Sequence, residues 1–179
     1  MQTLSRGAAV RLLRRTGCGA LALDVSATRV GVAVTDPART QALPLATLRR
    51  GRLDATGAAT RAVGAALRPL VAEHGVGLLV VGWPLEVSGR EGRRCREVAG
   101  FVADLATFGA LALPATLVDE RFSTRAARAA LEEAGAPPRV VDRAEDRVSA
   151  SIVLDALLAD LLHRPPPARH GRDFFGDGA

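Results

Sequence analysis

Three acidic residues stand where backbone, rather than solvent, can hold a carboxylate. Asp24 closes the apolar run from Ala20 to Leu23, and Glu120 follows the run from Ala115 to Val118 within Asp119-Glu-Arg121. Asp146 lies early in a long amphipathic segment, on the face that continues to Ala150 and Val153. If that segment is a helix crossing a sheet near the ends of both strands, the three acids converge. Three neighbouring carboxylates repel one another, and the repulsion would hold protons on them at neutral pH. Hard divalent cations relieve it, and an all-oxygen donor set suits Mg²⁺ or Mn²⁺. Two such ions, about 3.5 to 4 Å apart, can activate water and stabilise the leaving oxygen of an in-line displacement. The chemistry expected is phosphodiester hydrolysis. His74 falls at a helix end and His163 and His170 near the chain end, so a histidine general base is not expected.

The segment Leu79-Val-Val-Gly-Trp-Pro-Leu-Glu-Val-Ser-Gly-Arg-Glu-Gly-Arg-Arg94 supplies the complementary part. It reads as a buried strand that stops at Gly82-Trp-Pro84 and becomes an arginine-rich glycine loop. Gly89 and Gly92 would let backbone approach a phosphate closely at a helix start, and Arg90, Arg93 and Arg94 add charge. No Gly-x-x-x-x-Gly-Lys-Ser/Thr occurs, so this is not a nucleoside-triphosphate loop. Trp83 is most simply a packing residue. Each acid also has a plainer role open to it. Asp119 or Glu120 can pair with Arg121 or Arg125. Asp142, Glu145 and Asp146 with Arg139, Arg143 and Arg147 can form a solvated helix face, and Asp142 is a rival for the third ligand. The arginines at that four-residue spacing would lay a basic stripe beside the site.

These residues need elements to position them. Ala20–Leu23 and Val30–Thr35 read as a hairpin around a polar turn, and Leu43–Leu48 as a third strand. A helix is expected from about Ala55 to His74, capped by Asp54 and strained by Pro69. A central strand over Leu78–Val81 follows, then a helix over Arg93–Phe108 and a strand over Ala115–Val118. Ser123 or Thr124 should cap the next helix, ending near Gly135-Ala-Pro-Pro138. A final helix is expected over Asp142–Leu162. The order predicts an α/β fold: a mixed central sheet with an opening antiparallel three-strand meander, then parallel strands, with flanking helices.

Composition bounds the setting. The 179 residues, 48% hydrophobic, suffice for one domain with a real core. All 24 basic residues are arginine, and the net charge of +5 suits an anionic partner. Aromatic residues at 3% argue against stacking as the main grip on single strands. Two cysteines make neither a metal spacing nor a disulfide framework. No run is long enough to span a membrane. Residues 1–19 hold Arg6, Arg11, Arg14 and Arg15 and no acid. That composition fits a basic leader of a cytoplasmic bacterial protein or a mitochondrial or plastid transit peptide. The domain proper is then expected over residues 20–163, with a loose tail over 164–179.

The combined segments resemble the YqgF/RuvX family, small RNase H-like nucleases described as Holliday junction resolvases or as nucleases maturing the end of pre-16S ribosomal RNA. The family's opening Asp-x-Gly-x-x-x-x-Gly is matched by Asp24 to Gly31, its Val-Val-Gly-x-Pro-Leu by Val80 to Leu85, and its Asp-Glu-Arg-x-Ser/Thr-Thr by Asp119 to Thr124. The last helix resembles Asp146 to Leu154. The resemblance covers about residues 20–162. It implies an RNase H-like fold with Asp24, Glu120 and Asp146 as catalytic, metal-binding acids. Substrate-binding candidates are Arg29, Gly82, Pro84, Gly89, Gly92, Arg93, Arg121 and Arg147. Ser26 replaces the usual glycine, and Glu86 a usual uncharged polar residue. The implied partner is nucleic acid, either pre-rRNA or branched DNA, with ribosomal particles as a further partner, no membrane, and a monomer or homodimer. Two other readings stay open: a non-catalytic RNase H-like module on RNA or ribosomes, and a nucleotide-binding relative of the actin and sugar-kinase group, for which the chain is too short.

Overall fold

The computed structural model describes residues 1–51, 57–121 and 123–162. Their strands are β1 (Thr3–Leu4), β2 (Gly19–Val25), β3 (Arg29–Thr35), β4 (Ala42–Arg49), β5 (Val76–Trp83) and β6 (Ala115–Asp119). Their helices are α1 (Arg6–Thr16), α2 (Ala58–Glu73), α3 (Arg93–Thr107), α4 (Ser123–Glu133) and α5 (Pro138–Leu161). One six-stranded sheet has the order β1-β6-β5-β2-β3-β4. Strands β2, β3 and β4 form the antiparallel meander, and β5, β6 and β1 add in parallel beyond β2. The mixed sheet expected from the sequence, an antiparallel meander followed by parallel strands, is thus the one formed.

Strand alternation sorts the residues between two cores. Leu21, Leu23, Val25, Val30, Val32 and Val34 point to one face, with Val63 and Leu67 of α2 and Val98, Phe101 and Leu105 of α3. Ala20, Ala22, Ala33, Leu78, Val80 and Val118 point to the other, against Leu13 of α1 and Val153, Leu154 and Leu157 of α5. That second face is small along β2 and β3, so α5 can lie deep across them. At Gly31 it comes closest. A Cβ there would overlap the carbonyl oxygen of Asp146 and lie 2.9 Å from Arg147 N. Edge strand β4 is tied to the same helix, since Ala42 N donates to Asp155 Oδ1 at 3.0 Å.

Several local expectations change. The arginine-rich stretch set apart as a leader is built into the fold: β1 pairs with β6, and Ala9, Val10 and Leu13 of α1 are buried. Its arginines act as internal ties. Arg6 bonds the Asp160 carboxylate and the Ala156 carbonyl, and Arg14 Nη2 donates to the Asp160 and Leu161 carbonyls, so Arg14 closes the C-terminal turn of α5 and Arg6 holds the turn before it. The last helix begins at Pro138, four residues before the expected Asp142. Pro138 occupies the first turn, where its missing N–H costs nothing, rather than ending the preceding helix. Pro69 is accommodated inside α2. The Asp54 cap and the tail over 164–179 lie outside the described residues. Among the described residues no helix is long and apolar enough to cross a membrane.

The contact at Gly31 is backbone against backbone, so no side chain can give way. Gly31→Ala should lower stability by about 3 kcal/mol or more, as overpacking against an immovable neighbour does. Gly100→Ala, in α3 with open space around it, should be neutral or stabilising by about 0.5 to 1 kcal/mol. Urea denaturation of the two variants checks both.

Candidate active site

Strand parity carries Asp24 and Glu120 to the side of the sheet covered by α5, which itself bears Asp146. Asp24 continues the Ala20, Ala22 row of β2, and Glu120 continues the Thr116, Val118 row just past β6. Asp24 pairs in register with Gly31, the residue on which Asp146 of α5 rests. One cavity of about 560 Å³ is lined by all three acids. Asp24 is 7% exposed and Asp146 8%.

Each carboxyl has its own support. Glu120 N donates to Trp83 O at 3.2 Å, which fixes the residue to the end of β5. Its carboxyl lies over Gly82, where a Cβ would overlap Oε2 and lie 2.9 Å from Cδ. Glu120 Oε2 is buried with no hydrogen-bond partner. Asp24 is hydrogen-bonded by Ser149. Ser149 is wholly buried and shares a 2.8 Å hydrogen bond with Ser123 of α4. Asp146 Oδ2 forms an ion pair with Arg29 Nε at 2.7 Å.

Burial and mutual repulsion push protons onto this cluster. The Glu120 carboxyl rises to about 8, chiefly because it is desolvated and next because Asp24 is close, with Arg94 pulling the other way. Asp24 is also raised, by burial first, against the Ser149 hydrogen bond, with Asp146 adding to the rise. Asp146 is raised by burial while Arg29 opposes the shift. Among the described residues no three acid, histidine or cysteine side chains close tightly enough to form an assembled metal-binding group. The donor set still fits hard cations: three carboxyl groups line one cavity, Glu120 has an orphaned buried oxygen, and each of the three is shifted upward by burial.

Of the other sequence candidates, Arg29, Pro84, Gly92, Arg93 and Arg121 line the same cavity, together with Ser26 and Glu86, the two departures from the family pattern. Ser26 Oγ is turned to the hairpin, donating to Arg29 O at 3.0 Å and accepting from Arg29 N at 3.1 Å. Arg121 is held by Asp119, Nη2 to Oδ2 at 2.7 Å. Gly82, Gly89 and Arg147 do not line the cavity. Gly82 lies beneath Glu120, Gly89 takes a left-handed turn at φ 81°, and Arg147 sits on α5 beside it. Asp142 is exposed and 3.4 Å from Arg128, so α5 presents Asp146 and not Asp142. Arg94, expected only to add charge beside the glycine loop, and Glu145, expected only on a solvated helix face, also line the cavity. Glu145 is paired with Arg128 at 2.6 Å. Helical spacing from Arg93 and Asp146 offered no signal that separated them from solvated neighbours. Trp83 packs at the strand end and donates from Nε1 to Glu91 at 3.1 Å.

Three similar chains share the name "Putative pre-16S rRNA nuclease". The one from Paramagnetospirillum magneticum is 36% identical over 138 residues, 77% of this chain and 83% of its own. That from Chloroflexus aurantiacus is 36% identical over 77% of this chain and 84% of its own, and that from Maridesulfovibrio salexigens 34% over 78% and 96%. Among solved structures, Thermus thermophilus RuvC in complex with a Holliday junction substrate aligns over 80% of this chain and 96% of its own, with a TM-score of 0.47 and 12% identity. Residues 19–160, which carry all three acids, match the model of the RuvX family, described as Holliday junction resolvase. The chain belongs to the RuvX family.

Proposed function

We propose that this protein is a divalent-metal-dependent nuclease that processes the end of pre-16S ribosomal RNA. As a RuvX family member the chain is a hydrolase of nucleic acid. The finer reading is supported by one observation above the rest: Asp24, Glu120 and Asp146 face a single cavity beside Arg29, Arg94 and Arg121. The RNA substrate is supported by the names of the similar chains. The family's own description supports a second substrate, the four-way DNA junction.

Asp24, Glu120 and Asp146 would hold Mg²⁺ or Mn²⁺, which when bound supplies an activated water and stabilises the leaving oxygen. The chain does the rest. Ser149 orients the Asp24 carboxylate, Arg29 balances Asp146, and Gly82 leaves room for the Glu120 carboxyl. Arg94 and Arg121 place positive charge where a phosphate would enter. Glu120 holds a proton in the metal-free protein at neutral pH and must lose it to become a ligand.

Cleavage of a labelled pre-16S RNA end and of a four-way junction, in Mn²⁺ or EDTA, decides the reading. We expect metal-dependent cutting of the RNA that falls by more than about a hundredfold in Asp24→Asn, since even residues supporting a ligand are worth ten- to a hundredfold. Cutting of the junction alone would reassign the substrate, and binding without cutting in any metal would leave a non-catalytic module.

Proton linkage gives a second check. Between the ordinary glutamate value of 4.5 and about 8 the folded chain keeps a proton that the unfolded chain has lost. The folded state binds more protons there, so stability should fall as pH rises across that window. The melting temperature of metal-free protein should decline over it. Glu120→Gln should flatten the decline, leaving the smaller slopes of Asp24 and Asp146. A profile unchanged by Glu120→Gln would contradict the assigned burial of that carboxyl.

A further inference from the structure

Beside the larger cavity lies a smaller one of about 110 Å³, which shares Ser26, Arg93 and Arg94 with it and adds Arg50 and Glu97. Arg50 follows β4 and is 7% exposed. Its Nη1 donates to Ser26 O at 2.9 Å, and its guanidinium carbon lies 4.9 Å from the centre of the Phe101 ring. Arg50 Nε is buried and has no hydrogen-bond partner among the described residues. A buried guanidinium N–H left without an acceptor is costly unless something completes it.

The same wall contains the start of α3. This 15-residue helix begins at Arg93, is preceded by Gly92, which gives no side-chain cap, and has no acid in its first turn. Its first amides are therefore free to meet an anion. Arg93 and Arg94 add charge at that point. Glu97 is the one acid of the cavity and makes an exposed pair with Arg93 at 3.3 Å, a contact weak enough to yield to a competing anion.

We propose that the smaller cavity is an anion subsite for the backbone phosphate next to the scissile one, with Arg50 as its inner donor and Arg94 and the α3 amides at its mouth. Because the two cavities share a wall, a ligand occupying both must carry phosphates in series, which a nucleic-acid strand does. The subsite rests on the nuclease reading above for which phosphate is scissile. Its defining feature is a buried guanidinium fixed on the cavity wall by Ser26 O and the Phe101 ring, with Arg93 and Arg94 alongside.

The test moves a single methylphosphonate along the cut strand and measures binding in EDTA, in an Asp24→Asn background, with Arg50→Met and Arg94→Gln added separately. With Arg50 and Arg94 intact, neutralising the phosphate beside the scissile one should raise Kd about tenfold, the worth of one charge-assisted contact. The slope of log Kd against log salt should also fall by about one. With Arg50→Met the same methylphosphonate should add nothing, while neutralised phosphates elsewhere keep their cost. Arg50 also ties down Ser26, so folding is checked by circular dichroism. If Arg50→Met does not fold, the exposed Arg94→Gln carries the same comparison. The subsite is overturned if folded variants stay as sensitive as the parent to every methylphosphonate, or if inorganic phosphate competes equally with parent and Arg50→Met. Cleavage by the wild type without this coupling sinks the subsite alone. Coupling without cleavage keeps the subsite and sinks the nuclease reading.

Discussion

The backbone of α5 touches the backbone of β3 at Gly31, and the site depends on that contact. Gly31 is the register partner of Asp24, and the α5 residue resting on it is Asp146. Removing one Cβ therefore sets the distance between two of the three acids. The small row Ala20, Ala22 and Ala33 extends the same bed and lets the helix lie low along its length. The tie between Asp155 and Ala42, and the bonds from Arg6 and Arg14 to the last two turns, hold the rest of the helix to that depth. A well-packed interior transmits small displacements instead of absorbing them, so features remote from the acids still bear on their geometry.

The acids are held in an arrangement that would be unfavourable if all were ionised. Burial raises Glu120, Asp24 and Asp146 together, and only Arg29, Arg94 and Ser149 oppose it. Burial and mutual repulsion thus shift all three acids toward their protonated forms, Glu120 furthest. The fold meets the cost of holding it through two extensive apolar cores on either side of the sheet.

Arginine serves two distinct ends here, and its total count does not separate them. Arg6, Arg14 and Arg39 donate to carbonyls of the chain itself, while Arg29, Arg93, Arg94 and Arg121 face the cavity. A planar fork with several donors suits both tasks. The surplus of basic charge is therefore partly spent inside the molecule and is a poor measure of how much substrate it grips.

Much of this was legible beforehand. The β-branched runs and glycine breaks located five of the six strands, because strand alternation and apolar runs are local signals. Asp24 and Glu120 stood out because each follows such a run, and Asp146 because it lies on the apolar-continuing face of a helical segment. Parity along Ala20, Ala22, Asp24 and along Thr116, Val118, Glu120 could have shown that two of them share a face. The packing of residues 1–17 was not legible, since an arginine-rich amphipathic stretch looks the same whether solvated or docked. Nor was the start of α5 at Pro138, because a proline can end one helix or begin the next. The sequence by itself determined which residues can carry charge to the sheet edge and which strands bear them. Only the tertiary structure decided that Asp146 and not Asp142 faces the cavity, that Gly82 makes room for Glu120, and that Arg50 is buried against the smaller neighbouring cavity. Those outcomes depend on the depth and rotation of α5 and α3 against the sheet, which are set by contacts between residues far apart in the chain.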